Sequence, residues 1–327
     1  MNLNNKEWLA VVNVYAASKK ALKFWKTAER LMNRKNIEFS YSLTGECGNA
    51  FEISLNACRQ GHRKLIAVGG DGTAHDVLNG IMAYIDETGD SSVSVSDFTL
   101  AIIPVGSGND WVKSLGISCD LDLVTDLIAS GSFGRQDVVK ASIFEDSTEG
   151  KVLSSSYMVN IGGVGLDASV CEMVNRAKMQ GKRGKILYIT ALLRNIVARQ
   201  PLRVKLLCDG VEVFDGNYLS LAIGVGQYSG GGMRQTPSAV LDDGLLDVTL
   251  IPDLPILTIA RKAPKLFTGT FDKVKELTVA KCKSALIIPA AESSLVEVDG
   301  EVVGKSPVRF DVLDEQINVL SLTAISR

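Results

Sequence analysis

The stretch Leu65-Ile66-Ala67-Val68-Gly69-Gly70-Asp71-Gly72-Thr73 decides the fold of this chain. Its first four residues form a continuous apolar run, which is typical of a buried parallel strand. From Ala74 to Ile85 the apolar residues recur at helical spacing, so the sequence predicts a strand, a glycine-rich loop and a helix. Such a loop leaves backbone N–H groups free at the positive end of the helix, and glycine lets the backbone approach an anion closely. The stretch therefore predicts a phosphate-binding loop, with a plain tight turn as the alternative.

Within this loop the candidate phosphate-binding residues are Gly69, Gly70, Gly72 and Thr73. Asp71 is unexpected there, because a carboxylate repels a bare phosphate. It indicates either a divalent cation between carboxylate and phosphate or a residue that orients the loop. Asp71 is therefore a candidate both for the nucleotide site and for a catalytic role with Mg²⁺.

A second apolar run, Leu100 to Ile103, precedes the loop Pro104-Val105-Gly106-Ser107-Gly108-Asn109-Asp110. Because parallel strands end at one edge of a sheet, both loops are expected to converge on one crevice. Gly106, Ser107 and Asn109 are therefore candidates for the other wall of the same ligand site.

Together, the GGDGT loop and the following P-x-G-[ST]-x-N-D loop resemble those of the diacylglycerol kinase catalytic family, specifically its soluble bacterial lipid kinases. The resemblance implies ATP as phosphate donor, Mg²⁺ as cofactor and a lipid hydroxyl as acceptor, with diacylglycerol converted to phosphatidic acid as the first expectation. It also implies an α/β chain: an N-terminal doubly wound, NAD-kinase-like domain and a second, β-rich sandwich domain.

Two further residues join the nucleotide site through this resemblance. Asn13 follows the first predicted strand, where the family usually has Asn-Pro and this chain has Val14 in place of the proline. Thr44 begins the T-x-x-x-G-x-A pattern, which Gly48 and Ala50 complete. By itself Thr44 would be read as a helix N-cap.

Near the C-terminus, Asp299-Gly300-Glu301 matches the D-G-E of the family. Phosphoryl transfer to a hydroxyl needs a carboxylate that accepts or orients its proton. Both acids could point into the cleft between the domains. We favour Glu301 as the base with Asp299 in support, whereas a simple hairpin turn would explain the same residues.

The segment Pro237 to Asp247 contains an Asp-Asp-Gly turn, at which the soluble family members hold a structural Mg²⁺. The resemblance places its ligands at the carboxylate of Asp243 and the carbonyl oxygens of Val240 and Leu245. An ordinary Asp-Gly hairpin turn is the alternative without metal.

A chain of 327 residues is long for a single core. Strands and helices alternate as far as the glycine-rich break near residue 134, and short β-rich runs follow. We expect a nucleotide-binding domain at 1–134, a lipid-substrate domain at 135–306, and a return of 307–327 to the first domain.

The net charge of −2 excludes a general polyanion binder, and sparse aromatic residues in the basic segment argue against nucleic acid. No apolar run approaches the roughly 18 residues of a membrane span, and the scattered cysteines fit reduced thiols. These features predict a cytoplasmic protein peripheral to the inner face of the membrane. The segment 170–199 carries seven basic residues and one acid, which suits contact with an anionic membrane or a solvated helix face. A homodimer is a further expectation.

Other functions remain open at the level of sequence. A sphingoid-base or ceramide kinase would share these motifs, because the acceptor pocket leaves little signature. NAD kinase shares GGDGT but would need an Asn-Glu pair in the second loop, where this chain has Asn109-Asp110. A catalytically silent lipid-binding regulator is the alternative from another class. No G-x-x-x-x-G-K-[ST] is present, which excludes a P-loop kinase.

Overall fold

A computed structural model describes residues 7–16, 21–45, 49–106, 109–146, 149–179, 190–191, 194–197 and 202–322. The chain forms two compact units, Met1–Val138 with Asp314–Arg327, and Val139–Leu313.

The strands in chain order are β1 Trp8–Val12, β2 Phe39–Leu43, β3 Lys64–Gly69, β4 Thr99–Pro104, β5 Phe133–Gln136, β6 Val139–Phe144, β7 Val152–Met158, β8 Ile161–Gly165, β9 Leu202–Cys208, β10 Val211–Gly224, β11 Tyr228–Ser229, β12 Met233–Arg234, β13 Leu246–Pro252, β14 Thr278–Cys282, β15 Ser284–Pro289, β16 Leu295–Val298, β17 Glu301–Lys305, β18 Val308–Val312 and β19 Ile317–Leu320. The helices are α1 Ala21–Arg34, α2 Ala50–Arg59, α3 Asp71–Thr88, α4 Asp110–Ser114, α5 Leu121–Ser130, α6 Leu166–Met179, α7 Ile256–Lys262 and α8 Lys265–Thr268, with 3-10 turns at Val95–Asp97 and Phe271–Lys273.

The first unit is built on a sheet of order β2-β1-β3-β4-β19-β5. The strands β1 to β4 are mutually parallel, β19 runs parallel to β4, and β5 is antiparallel to β19. This is the predicted doubly wound sheet. The chain proceeds from β1 to one side and returns across it to β3, so the gap between the ends of β1 and β3 is the switch point at which ligands of such folds bind.

Buried apolar strands and close helix packing explain this unit. The strands β1, β3 and β4 are almost continuously apolar and buried, as expected of parallel strands that helices cover on both faces. On α3, a Cβ at Gly80 would lie 2.6 Å from the carbonyl oxygen of Phe51. The glycine therefore lets α3 lie directly against α2.

The second unit is β-rich, with eleven strands in one connected sheet. Its main path is β17-β16-β8-β10-β9-β15-β18-β6-β7, and β13 and β14 branch from β10. The 14-residue strand β10 pairs with β9 along its first half and with β8 and β13 along its second half. One long strand thus connects two parts of the sheet around a shared apolar core.

The two units end at other residues than the sequence predicted. The reason is that strands beyond each predicted boundary pair with strands of the unit before it. β5 pairs with β19, which keeps the first unit continuous to Val138. β18 pairs with β6 and β15, so residues 307–313 belong to the second unit and the return begins at Asp314.

The predicted basic helix over 170–199 is only partly described. The helix α6 begins earlier, at Leu166, and is described to Met179. Residues 190–191 and 194–197 are also helical. The predicted basic residues Lys182, Arg183, Lys185 and Arg199 lie outside the described residues. In the described part of the chain, no helix combines the length and apolar character needed to span a membrane.

Candidate active site

The first loop begins where β3 ends, beside the end of β1. A Cβ on Gly69 would lie 2.6 Å from Cβ of Thr73, so a side chain cannot be accommodated there. Asn13, which follows β1, donates from Nδ2 to Oγ1 of Thr73 at 3.0 Å. The structure therefore brings the predicted residues Asn13, Gly69 and Thr73 together at the switch point.

The N-terminus of α3 is formed by this loop. Gly70 precedes the helix in an extended conformation, and its carbonyl oxygen accepts from the amides of Thr73 and Ala74 at 3.0 and 3.2 Å. Among the described residues no side chain caps this helix end, in contrast to α5, where Asp120 accepts from two amides. An uncapped helix N-terminus that follows a glycine loop suits an anionic ligand.

Asp71 connects the first loop to the second. Its carboxylate oxygens accept from the backbone amides of Asp110 at 3.0 Å and Trp111 at 3.1 Å. Asp71 therefore caps the short helix α4 from 39 residues away. Of the two interpretations of Asp71, the structure supports the residue that orients the loop, and a direct role with a cation stays a prediction.

The second loop lies against the first. The amide of Val105 donates to the carbonyl of Gly69 at 2.8 Å, and Oδ1 of the buried Asn109 would lie 3.5 Å from a Cβ on Gly70. Gly106 has a φ of 112°, which favours glycine at this position. Ser107, predicted to line this wall, lies outside the described residues. Described members of both loops thus adjoin one another, as the sequence predicts.

Thr44 directly follows the strand β2, at the same edge of the sheet. Its backbone amide donates to the carbonyl of Val12 at 2.9 Å. Its side chain is buried, and Oγ1 finds no hydrogen-bond partner among the described residues. The N-cap reading is wrong, because α2 begins after Asn49. A buried hydroxyl without a protein partner fits one that a ligand satisfies. Gly48 of the same pattern lies outside the described residues.

The Asp-Gly-Glu segment connects β16 to β17. Asp299 and Gly300 both have positive φ, 50° and 87°, as a two-residue hairpin turn requires. The carboxylate of Asp299 accepts from the amides of Val159 and Asn160 at 3.1 and 3.0 Å. Asp299 is thus a buried structural acceptor that ties the turn to the residues preceding β8.

Glu301 occupies a different environment. Its Oε2 accepts from Nδ2 of Asn175 on α6 at 3.3 Å, and the same nitrogen donates to the carbonyl of Gly300 at 3.1 Å. Glu301 is only half-buried. Of the two acids, Glu301 therefore has the more accessible side chain, and its role as the base stays a prediction.

Two buried acids beside this turn were not predicted from the sequence. Oε2 of Glu297 accepts from the amide of Gly300 at 2.8 Å, and Asp167 accepts from Ser220 and Gln235. Burial raises the pKa of Asp167 and raises the pKa of Glu297 well above its usual range. For Glu297 the sequence did contain a signal, namely a glutamate between two valines in the otherwise apolar strand β16.

The Asp-Asp-Gly turn holds an ammonium group. The carboxylate of Asp243 accepts from the amide of Leu245 at 3.1 Å and from Nζ of Lys281 at 3.1 Å. Lys281 also forms an ion pair with the buried Asp247 at 3.0 Å. The predicted ligands Val240, Asp243 and Leu245 thus do not fit a Mg²⁺ site in this arrangement, because an ammonium already compensates the only carboxylate among them.

Comparison with known proteins agrees with this geometry. Residues 7–141 match the model of the diacylglycerol kinase catalytic domain, and residues 160–321 match that of the YegS C-terminal NAD kinase beta sandwich-like domain. A protein of Stenotrophomonas maltophilia named "Probable lipid kinase YegS-like" is 27% identical over 288 residues, which cover 87% of each chain. A diacylglycerol kinase of Staphylococcus saprophyticus is 25% identical over 290 residues, covering 89% of this chain and 87% of the relative.

A crystal structure of a diacylglycerol kinase from Bacillus anthracis superposes with a TM-score of 0.72 and covers 98% of both chains. At 22% identity this likeness shows the shared fold. The two family models follow one another along most of the sequence. The first covers most of the N-terminal part of the first unit, and the second covers most of the second unit together with β19 of the first. The chain belongs to the diacylglycerol kinase catalytic-domain family of lipid kinases.

Proposed function

We propose that this protein transfers the γ-phosphoryl group of ATP, with Mg²⁺, to the hydroxyl of diacylglycerol and so produces phosphatidic acid. The observation that carries the proposal is the junction of the two strand-end loops, at which Asp71 holds the second loop beside the uncapped N-terminus of α3. In the part of the chain that the structure describes, no side chain competes with an anion for the backbone amides at that junction.

The donor side of the reaction rests on residues of the first unit. The amides that follow Gly70 would bind the phosphates, and Asn13 would keep Thr73 in place through its hydrogen bond. The hydroxyl of Thr44, which finds no partner among the described residues, and Asn109 beside Gly70 would contact the rest of the nucleotide. Mg²⁺, when bound with the nucleotide, neutralises the phosphate oxygens. No step needs a metal at the Asp243 turn.

On the acceptor side, Glu301 would accept the hydroxyl proton of the lipid. The hydroxyl oxygen forms the new bond to the γ-phosphorus as the bond to the bridging oxygen of ADP breaks, and the proton passes to the Glu301 carboxylate. Asp299 is a positioning residue, because its carboxylate is engaged with the amides of Val159 and Asn160.

The decisive experiment measures transfer of label from γ-labelled ATP to lipids in mixed micelles. The panel contains diacylglycerol, monoacylglycerol, sphingosine, ceramide and undecaprenol, with NAD as the water-soluble control. Labelled phosphatidic acid is the expected product.

Label in sphingosine or ceramide instead would replace the proposed acceptor while keeping the reaction. Label in NAD alone would contradict the lipid substrate. Binding of ATP without any labelled product would favour a silent regulator built on this fold.

A further inference from the structure

The two short helices between β13 and β14 carry exposed apolar and basic side chains. Neither α7 nor α8 contains a buried residue. Ile256 is exposed, Leu257 is 71% exposed and Phe267 is 65% exposed. Large apolar side chains that remain this exposed close together in sequence mark an interaction surface more often than chance.

The charge of this segment has one sign. Residues 254–271 contain the bases Arg261, Lys262 and Lys265 and no acid. Lys262 pairs with Glu276 at 3.0 Å. Lys265 also acts electrostatically on the carboxylate of Glu276 and helps to lower its pKa, whereas Arg261 is exposed. The surface therefore complements an anionic partner.

The orientation of α7 follows from its inner side. Ile259 packs against the buried cluster of Leu166, Val170, Ala191 and Leu219. Leu257 and Arg261 are exposed, and each is two residues from Ile259, which on an α-helix places it on the opposite side. Ile256 and Ala260 are also exposed. One side of α7 is thus anchored, and the other is available.

The same cluster borders a cavity of about 450 Å³. Leu166 and Leu219 belong to both the cluster and the cavity wall, and Lys305 at the end of β17 also lines the cavity. The first residue of β17 is Glu301. On α6, Ser169 lines the cavity and Asn175 contacts Glu301. Within the second unit, α6 and β17 therefore both line this cavity, and they also carry the candidate base Glu301 and its hydrogen-bond partner Asn175.

We propose that Ile256, Leu257, Arg261, Lys265 and Phe267, here called the docking face, bind the surface of an anionic phospholipid bilayer. The apolar side chains enter the acyl boundary while the two cations contact lipid phosphates, which is how amphipathic segments hold peripheral proteins. The inference rests on the proposed function in one respect, since diacylglycerol has to be reached in a bilayer. It assigns the contact to α7 and α8 rather than to the basic segment 170–199.

Vesicle cosedimentation of the full chain tests the docking face. Vesicles of phosphatidylcholine are compared with vesicles that also contain phosphatidylglycerol. We expect binding to the anionic vesicles alone, a loss of about tenfold or more in the double variant Leu257→Ser/Phe267→Ser, and about fivefold for each base removed in Arg261→Ala/Lys265→Ala. The matched control is Leu153→Ser/Val211→Ser, which removes side chains that are 56% and 64% exposed elsewhere in the same unit.

Tryptophan emission gives a readout independent of activity. The natural tryptophans Trp8, Trp25 and Trp111 are all buried in the first unit. The variant Leu257→Trp should shift its emission to the blue on anionic vesicles and be quenched by brominated lipid, whereas Leu153→Trp should not respond. Equal vesicle binding by the docking-face variants and wild type would overturn the proposal.

Two further outcomes separate this inference from the proposed reaction. Phosphorylation of a short-chain diacylglycerol dissolved as monomers should be unchanged in Leu257→Ser/Phe267→Ser, while phosphorylation of diacylglycerol in anionic vesicles falls. Vesicle binding through this face without phosphorylation of any lipid would retain the docking face and reject the reaction. A dimer that Leu257→Ser/Phe267→Ser dissociates, with vesicle binding unchanged, would assign the face to a second copy of the chain and overturn the proposal.

Discussion

Gly69 and Gly70 are adjacent in the first loop, but an added methyl group would meet different surroundings at each. At Gly69 it would overlap Thr73, whereas at Gly70 its nearest neighbour would be Oδ1 of Asn109 at 3.5 Å. We expect Gly69→Ala to lower the free energy of unfolding by about 1–3 kcal/mol, because Thr73 must move away from Asn13.

The matched variant Gly70→Ala should change stability by less than about 0.5 kcal/mol and raise the KM for ATP, because the methyl group would point to the phosphates. Urea denaturation and steady-state kinetics measure the two effects. An unchanged KM in Gly70→Ala would remove this residue from the phosphate site.

Asp299 and Glu301 flank one glycine, but substitutions at the two positions should have different effects, on stability and on turnover respectively. Glu301→Gln should lower kcat by about 10²- to 10⁴-fold with an unchanged melting temperature, because it removes a proton acceptor. Asp299→Ala should lower the free energy of unfolding by about 1–3 kcal/mol, because the buried amides of Val159 and Asn160 lose their acceptor. Wild-type turnover in Glu301→Gln would reject it as the base.

Among the elements, α4 is the one that depends most on a distant residue. It has only five residues and is capped by Asp71 of the first loop, 39 residues earlier in the chain. Asp71→Ala should therefore speed hydrogen exchange at the amides of Asp110 and Trp111 and lower the free energy of unfolding by about 1 kcal/mol. It should also weaken ATP binding.

Asp120→Ala supplies the comparison, since Asp120 caps α5 through its own neighbouring amides. It should loosen the start of α5 and leave the affinity for ATP unchanged. If Asp71→Ala binds ATP as well as wild type does, the junction of the two loops is not needed for the donor site.

The β13–β14 pair carries the ion pairs of Lys281. Burial raises the pKa of Asp247, and Lys281 opposes that shift. Lys281→Met should lower the free energy of unfolding by about 1–3 kcal/mol, a figure reduced from that of a fully buried pair because Lys281 is partly exposed.

Mg²⁺ should not raise the melting temperature of the nucleotide-free wild type. Such a rise, absent from Asp243→Asn, would restore the metal site at this turn.

For the molecule as a whole, the buried acids predict how stability depends on pH. The pKa of Glu297 is raised on folding, so the folded state keeps its proton where the unfolded state has lost it. The stabilisation is fully present below the unfolded pKa of about 4.3 and is lost as the pH rises toward the raised folded value.

Glu297→Gln should make stability depend less on pH in that window, by up to about 1.4 kcal/mol per pH unit, because glutamine keeps the acceptor for Gly300 and cannot ionise. Urea denaturation across the pH range measures this slope. Parallel curves for the variant and wild type would show that Glu297 ionises alike in both states.

The sequence predicted the architecture well where its signal was local and periodic. The apolar runs of β3 and β4, the glycines after β3 and the helical spacing of α3 are each contained in a short stretch, so the doubly wound unit followed from them. The predicted boundaries between the units were less accurate. The unit to which β18 or β19 belongs is set by its partner strand, β6 or β4, which lies far away in the chain.

By itself the sequence determined the two loops, the parallel sheet that carries them, the β-rich second unit and the family. Tertiary structure alone decided what the acids do. Asp71 and Asp299 accept from amides 39 and 140 residues away, and Asp243 accepts from the ammonium group of Lys281 on β14. A helix or strand is specified by neighbours in sequence, whereas the role of a carboxylate depends on the donors and cations that folding brings to it.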